Sequence, residues 1–161
     1  MGQSKLTLQV LSAYLPYGVK MILLENNREV DLSPGFVNPV LCYPSHYKLL
    51  LRPLSALTIP LKELDGKTPM EHIAEKLNER KFNWPKVYTE DDMSLDSAIF
   101  LIVSESGISI RCVPDYYIVP MEAFEIIRKT LLSLHMDLFG LLDSGDALPL
   151  TAPPSVNGDE K

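Results

Sequence analysis

The stretch from Pro120 to Pro149 constrains the fold of this chain most, because it has the pattern of a long amphipathic helix followed by a glycine break. Apolar side chains recur there at alternating spacings of three and four, the period of one helix face. They are Phe124, Ile127, Leu131, Leu134 and Leu138. Pro120 suits the first helical position, and Gly140 and Gly145 allow the backbone to leave helical geometry. The pattern predicts a helix over 120–138.

Shorter patterns elsewhere alternate between helix and strand. Residues 6–15 favour a short helix, with a strand as the alternative because Leu6, Leu8 and Val10 also alternate. Thr68 with Glu71 forms a capping-box signature for a helix over 69–81. Apolar runs bounded by turn residues predict strands at 19–24, 29–32, 47–51, 98–103 and 108–113, the last two joined as a hairpin. We therefore expect an α+β fold with one antiparallel sheet of about four or five strands. We expect one long C-terminal helix and one shorter helix to pack against this sheet.

Two segments of the chain are predicted to lack regular structure. Residues 33–45 contain three prolines and a glycine, which is typical of an irregular connection. Residues 149–161 are too polar and proline-rich to offset their ordering entropy by burial, so we expect a flexible tail there. A chain of 161 residues otherwise fits one globular domain, over 1–148.

Charge and cysteine usage bound the setting in which the protein works. The net charge is −6, and residues 61–161 hold ten basic and eighteen acidic groups, which disfavours a nucleic-acid partner. No apolar run approaches the roughly 18–20 residues of a membrane span, and no signal peptide is recognisable. Two cysteines in a chain of this length indicate a reducing compartment, so we expect a cytoplasmic location.

The residues that could carry chemistry are scattered along the chain. Cys42 and His46 could join in a metal site, but His72, Cys112 and His135 belong to separate predicted elements. His135 and Asp137 lie two residues apart, which on a helix points their side chains in different directions. No phosphate-binding loop and no nucleophile elbow occurs. The sequence thus predicts a protein that is not an enzyme and that holds no metal and no cofactor.

One stretch is basic although the whole chain is acidic, and its basic residues alternate with aromatic residues. Its members are Arg80, Lys81, Phe82, Trp84, Lys86 and Tyr88. Such a composition can neutralise and stack on single-stranded nucleic acid. The alternative interpretation is a basic helix C-terminus followed by an aromatic anchor in the core.

A second candidate surface follows the long helix. Leu138, Phe139, Leu141 and Leu142 supply more apolar area than one helix face hides. They form either a last layer of the core, which we favour, or an interface with a partner or a second copy of the chain.

Three segments together carry a resemblance, namely residues 11–19 (LSAYLPYGV), 50–58 (LLRPLSALT) and 135–145 (HMDLFGLLDSG). In this order and spacing they resemble a group of uncharacterised small proteins encoded in Bacteroidetes genomes, often in prophage-like or mobile regions. The resemblance implies an accessory protein in the cytoplasm of a bacterium or of a phage-infected cell, and it assigns no catalytic residue. We therefore expect a non-catalytic accessory or protein-interaction module. The alternative is a nucleic-acid-associated accessory protein that binds through residues 80–88.

Overall fold

The computed structural model describes residues 4–80, 86–89, 98–104, 107–113 and 119–150, and their fold is α+β, as the sequence predicts. These residues form five α-helices and seven strands. In chain order they are α1 (Leu8–Tyr14), β1 (Lys20–Leu23), β2 (Arg28–Asp31), α2 (Pro34–Cys42), β3 (Tyr47–Leu51), α3 (Pro69–Glu79), β4 (Val87–Thr89), β5 (Ala98–Ser104), β6 (Gly107–Val113), α4 (Met121–Ser133), α5 (Leu141–Ser144) and β7 (Ala147–Pro149).

The prediction of one antiparallel sheet is wrong, because the strands form two sheets and each sheet contains a parallel pair. The first has the order β2-β1-β3-β7 and the second the order β4-β5-β6. In the first sheet β1 is antiparallel to both β2 and β3, whereas β7 runs parallel to β3. In the second sheet β5 is antiparallel to β6, whereas β4 runs parallel to β5. Three-residue strands such as β4 and β7 are too short to show an alternating pattern, so the sequence did not reveal them.

The chain divides into two compact units. Unit 1 comprises residues 1–53 and 139–161, and unit 2 comprises residues 54–138. Unit 1 is therefore built from both ends of the sequence. The prediction of one domain over 1–148 stays a prediction. Pro149, the first residue of the predicted tail, ends β7, and residues 151–161 of that tail lie outside the described part of the chain.

Unit 1 packs α1 and the first sheet around large apolar side chains. Thr7 caps α1 by accepting a hydrogen bond from the Val10 amide at 3.2 Å. Asn27 has φ 53° in the turn between β1 and β2, a left-handed backbone angle that asparagine tolerates better than most residues. The fully buried side chains of this unit include Leu11, Tyr14, Met21, Leu49, Leu51 and Leu141.

One buried carboxylate ties the two ends of unit 1 together. Asp146, at 4% exposure, accepts hydrogen bonds from the Ser4 hydroxyl at 2.9 Å and from the Lys5 amide at 2.7 Å. The Ser144 hydroxyl donates to the same carboxylate at 2.7 Å. Burial acts to raise the pKa of Asp146, but these hydrogen bonds and the nearby Lys48 outweigh it, so the pKa lies below its ordinary value of 3.8. The charged form of Asp146 is thus the one that the fold stabilises.

The proline-rich segment 33–45 is not irregular, because most of it forms α2. Pro34 occupies the first helical position, where its missing N–H leaves no bond unmade. Pro39 lies inside the helix and removes the donor to the Gly35 carbonyl, yet Gly35 is exposed and water can take that place. Val37 and Val40 are buried on one face. Tertiary burial therefore overrides the low helix propensity of the prolines.

Unit 2 surrounds its core with α3, α4 and the second sheet. The predicted capping box of α3 is present: the Glu71 amide donates to the Thr68 hydroxyl at 3.1 Å, and the Thr68 amide donates to the Glu71 carboxylate at 2.6 Å. These bonds lower the pKa of Glu71. The inner face of α3, formed by Met70, Ile73, Ala74 and Leu77, is buried. It meets Ile99 and Leu101 of β5 and the inner face of α4.

Helix α4 is shorter than the predicted helix over 120–138, since it ends at Ser133 and both α5 and β7 follow it. Up to residue 150, where the described part of the chain ends, there is therefore no single long C-terminal helix. Ile127, Leu131 and Leu134 are buried as predicted, whereas Phe124 is 48% exposed. Phe124 lies at the edge of the apolar stripe, and Ala123 faces the core in its place.

Candidate functional site

A row of four rings in neighbour-to-neighbour contact lies in unit 1. The Tyr43 amide donates to the Pro39 carbonyl at 2.9 Å, which ends α2, and Pro44 then begins a short 3₁₀ turn. The His46 amide donates back to the Tyr43 carbonyl at 2.9 Å. This tight turn places the two rings side by side. Their centroids are 5.9 Å apart with an interplanar angle of 23°, a stacked arrangement.

The row continues from His46 into the start of β3. His46 and Tyr47 have ring centroids 6.5 Å apart, and Tyr47 meets Phe36 of α2 at 6.4 Å with an interplanar angle of 64°. We call Phe36, Tyr47, His46 and Tyr43 the aromatic row. Phe36 and Tyr47 are half-buried, whereas Tyr43 is 60% exposed and His46 is also exposed. The row thus has a fixed inner end and a solvent-facing outer end.

Sequence reasoning missed this row because it treated residues 33–45 as a connection. His46 entered only as a possible metal partner of Cys42. The available signal was the density of rings over residues 36–47, interleaved with Pro39 and Pro44. Prolines fix the backbone angles of the turn, and fixed turns hold neighbouring rings in contact.

The predicted basic–aromatic stretch is described at three of its six positions. Lys81, Phe82 and Trp84 lie outside the described residues, while Arg80, Lys86 and Tyr88 are placed.

Two of the three placed residues, Arg80 and Tyr88, contact side chains elsewhere in unit 2, and Lys86 contacts Tyr88. Arg80 lies 3.7 Å from the Glu122 carboxylate. The Lys86 ammonium lies 5.4 Å from the centre of the Tyr88 ring, and that ring is 6.3 Å from Phe100. The Asn78 side chain holds β4 against α3 by exchanging two hydrogen bonds of 2.7 Å with the Val87 backbone.

A shallow cavity of about 280 Å³ lies beside Lys86 and Tyr88. Its wall carries charges of both signs, and Lys67 pairs with Glu75 at 2.7 Å. The hydrogen bond to Glu75 raises the pKa of Lys67. Because Glu71 and Glu75 balance Lys67 and Lys86, this cavity has no excess positive charge for a phosphate backbone.

The residues weighed for metal binding do not converge. In the described ranges, no group of three or more His, Cys, Asp or Glu side chains could hold a metal ion. Cys42 is an exposed free thiol, and Cys112 is a half-buried cysteine on β6. His72 lies on α3, where burial and the nearby Lys76 lower its pKa. His135 ends α4 in another part of unit 2.

The four apolar residues of the second candidate surface are buried to different extents. Leu141 is fully buried, whereas Leu138, Phe139 and Leu142 are half-buried. Phe139 meets Tyr14 edge-on, with ring centroids 5.6 Å apart and an interplanar angle of 79°. Leu138 packs against the core of unit 2. The assignment of these residues to the core, which we favour over a partner interface, stays a prediction.

Comparisons with protein-family models, with curated proteins and with solved structures find no match to this chain. Of the helices in the described part of the chain, none combines the length and the apolar character needed to cross a membrane.

Proposed function

We propose that this chain is a non-catalytic protein-interaction module that binds its partner through the aromatic row, in the setting of a bacterial phage or mobile element. The observation that carries the proposal is the exposure of Tyr43, at 60%, while its ring stacks on His46. The phage setting rests on the resemblance of residues 11–19, 50–58 and 135–145 alone.

The aromatic row has the physical character of an interaction hot spot. Tyrosine offers a large apolar ring with a polar end and loses few rotamers when it is immobilised. Binding energy at interfaces concentrates in such residues, especially where neighbouring side chains already hold them in place. Phe36 and Tyr47 provide that support from the half-buried end of the row. A protein partner that covers Tyr43 and His46 therefore gains apolar contact at low entropic cost.

The test is affinity capture from the bacterial host with the wild-type chain and with Tyr43→Ala. We expect a discrete partner whose dissociation constant rises by roughly thirtyfold or more, the effect of a hot-spot residue of about 2 kcal/mol. Phe124→Ala is the matched control, because Phe124 is an exposed aromatic residue outside the row. The proposal would be contradicted if Tyr43→Ala and Tyr43→Ala/His46→Ala both captured the partner as strongly as the wild-type chain does.

A nucleic-acid role for residues 80–88 is the second candidate, and the exposed Lys86 ammonium over the Tyr88 ring favours it. A base that stacks on such a ring gains from the cation beside it. The test is binding of single-stranded DNA at increasing salt, with charge reversal of Lys81 and Lys86. Reversal of Lys20 and Lys62, both exposed and outside the stretch, is the control. If charge reversal of the control pair weakened binding of single-stranded DNA as much as reversal of Lys81 and Lys86, a specific site at residues 80–88 would be contradicted.

A further inference from the structure

Three of the four outer strands in the two sheets carry features that block the addition of another strand. Three of the four residues in β2 are charged, β4 is only three residues long, and β7 ends in Pro149. Charge, short length and proline are the usual protections of a sheet edge. The remaining edge strand, β6, has seven residues, no proline and one charged residue, Arg111. In the described residues, no strand pairs with its outer side.

The burial of β6 is also incomplete on the face that packs against the core. Ile110 and Cys112 contact the core of unit 2 but remain half-buried. In the neighbouring β5, Ile99 and Leu101 are at most 1% exposed. Among the described strands, β5 has a neighbour on each side whereas β6 has a neighbour on one side. A further strand beside β6 would cover the exposed part of Ile110 and Cys112 and pair the outward backbone groups.

We infer that a second copy of this chain fills that position, by antiparallel pairing of β6 with β6 about a two-fold axis at Ile110. The sequence of β6 is self-complementary in this register. Ile110 lies opposite its own copy on the core side, and Ser109 lies opposite Arg111 of the second copy on the outer side. The two Arg111 side chains are therefore not opposite each other, and like charges do not meet. The result is a continuous sheet of six strands.

Charge substitution at Ser109 tests this register, because Ser109 is exposed and the dimer places it directly opposite Arg111 of the second copy. Its own Arg111 is equally near in the monomer and in the dimer, so that neighbour does not change the association. Ser109→Lys creates two like-charge pairs per dimer and Ser109→Glu creates two opposite-charge pairs. Sedimentation from low micromolar to submillimolar protein should show a dissociation constant raised roughly two- to thirtyfold by Lys and lowered by Glu. Adding Arg111→Glu to Ser109→Lys should restore association. Salt should reduce all three effects.

Crosslinking gives a second, independent measurement of the same register. In a chain with Cys42→Ser and Cys112→Ala, Ile110→Cys places two thiols directly opposite, with Cα atoms about 4.5–5.5 Å apart, within disulfide range. Mild oxidation should give a covalent dimer. Ser109→Cys is the matched control, since its two copies are offset by two residues and lie beyond about 7 Å.

A chain that sediments as a monomer at every concentration and forms no Ile110→Cys crosslink would overturn the inference. So would Ser109→Lys and Ser109→Glu shifting association in the same direction. This inference concerns unit 2 and does not rest on the aromatic row of unit 1. Each can therefore fail without the other.

Discussion

At position 135 the chain has a histidine where helices commonly end with glycine. His135 has φ 58°, in the left-handed region. Its amide donates to the Leu132 carbonyl at 3.0 Å, and the Met136 amide donates to the Leu131 carbonyl at 3.0 Å. These two bonds form a Schellman motif that ends α4, and the buried Met136 supplies its apolar contact. The sequence predicted a helix that continues to residue 138, and it did not indicate a left-handed backbone angle at His135.

We predict that His135→Gly is more stable than His135→Ala by about 1 kcal/mol. Both changes remove the imidazole, so the difference reports the cost of a Cβ atom at positive φ. Ser133→Gly and Ser133→Ala provide the control, because Ser133 is helical and the order should reverse there. Urea denaturation of the four variants measures both differences. Equal stability of the two variants at position 135 would contradict the explanation.

A second prediction concerns Asp146 and pH. Because its pKa is lowered in the folded state, Asp146 contributes stability above its unfolded pKa and loses that contribution as the pH falls through the folded value. Asp146→Asn should therefore cost about 1–3 kcal/mol at neutral pH. The difference in the free energy of unfolding between Asp146→Asn and the wild type should narrow as the pH falls below about 4. Denaturation at pH 7 and pH 3 measures it, with the exposed Asp143→Asn as control. A gap that is independent of pH would show that the charge of Asp146 is unimportant.

At the scale of elements, the sequence predicted those helices and strands that carry a local signal. The capping box of α3, the hairpin of β5 and β6, and strand β3 each carry a local signal that the structure confirms. Helix α2 lacked such a signal, because its prolines oppose helix formation and tertiary burial of Val37 and Val40 decides its conformation. The aromatic row depends on α2 and was missed for the same reason.

The contact between α1 and the segment before α5 gives the third prediction. Phe139→Ala should destabilise the fold by about 2–3 kcal/mol, less than for a fully buried phenylalanine, because the ring is half-buried. A double-mutant cycle with Phe139→Leu and Tyr14→Leu should give a coupling of about 0.5–1.5 kcal/mol from the edge-on ring contact. Thermal melts measure the loss of stability and the coupling energy, and sedimentation measures self-association. An unchanged melting temperature with weakened self-association would favour the interface interpretation instead.

At the scale of the whole molecule, the sequence did not indicate that the chain returns to its first unit. The parallel pairing of β3 with β7 joins residues 49–51 to residues 147–149. No local pattern specifies a partner at such a separation, because the strand period gives the face that is buried and not the neighbour. The α+β class was accessible from local patterns, whereas the sheet order was not.

The fourth prediction is that the chain unfolds in one cooperative transition. If unit 2 unfolds, the segment between β3 and β7 becomes a long flexible loop. Closing that loop reduces the conformational entropy of the chain, and this cost lowers the stability of unit 1. Ile73→Ala in the core of unit 2 should therefore reduce hydrogen-exchange protection in β1 and β3 as well as in α3. Ile59→Ala, at a 54% exposed position in unit 2, is the control. Full protection of β1 and β3 in Ile73→Ala would show that the units unfold separately.

The discontinuous course of unit 1 has a consequence for synthesis on the ribosome. When Leu51 emerges, β3 has its antiparallel neighbour β1, but its parallel neighbour β7 is translated only after the whole of unit 2. During that interval Asp146 has not yet reached Ser4 and Lys5, and the side of β3 that later receives β7 lacks its partner strand. The nascent chain therefore completes its second unit before its first. Residues 49–51 are the place where we expect a ribosome-associated chaperone to bind.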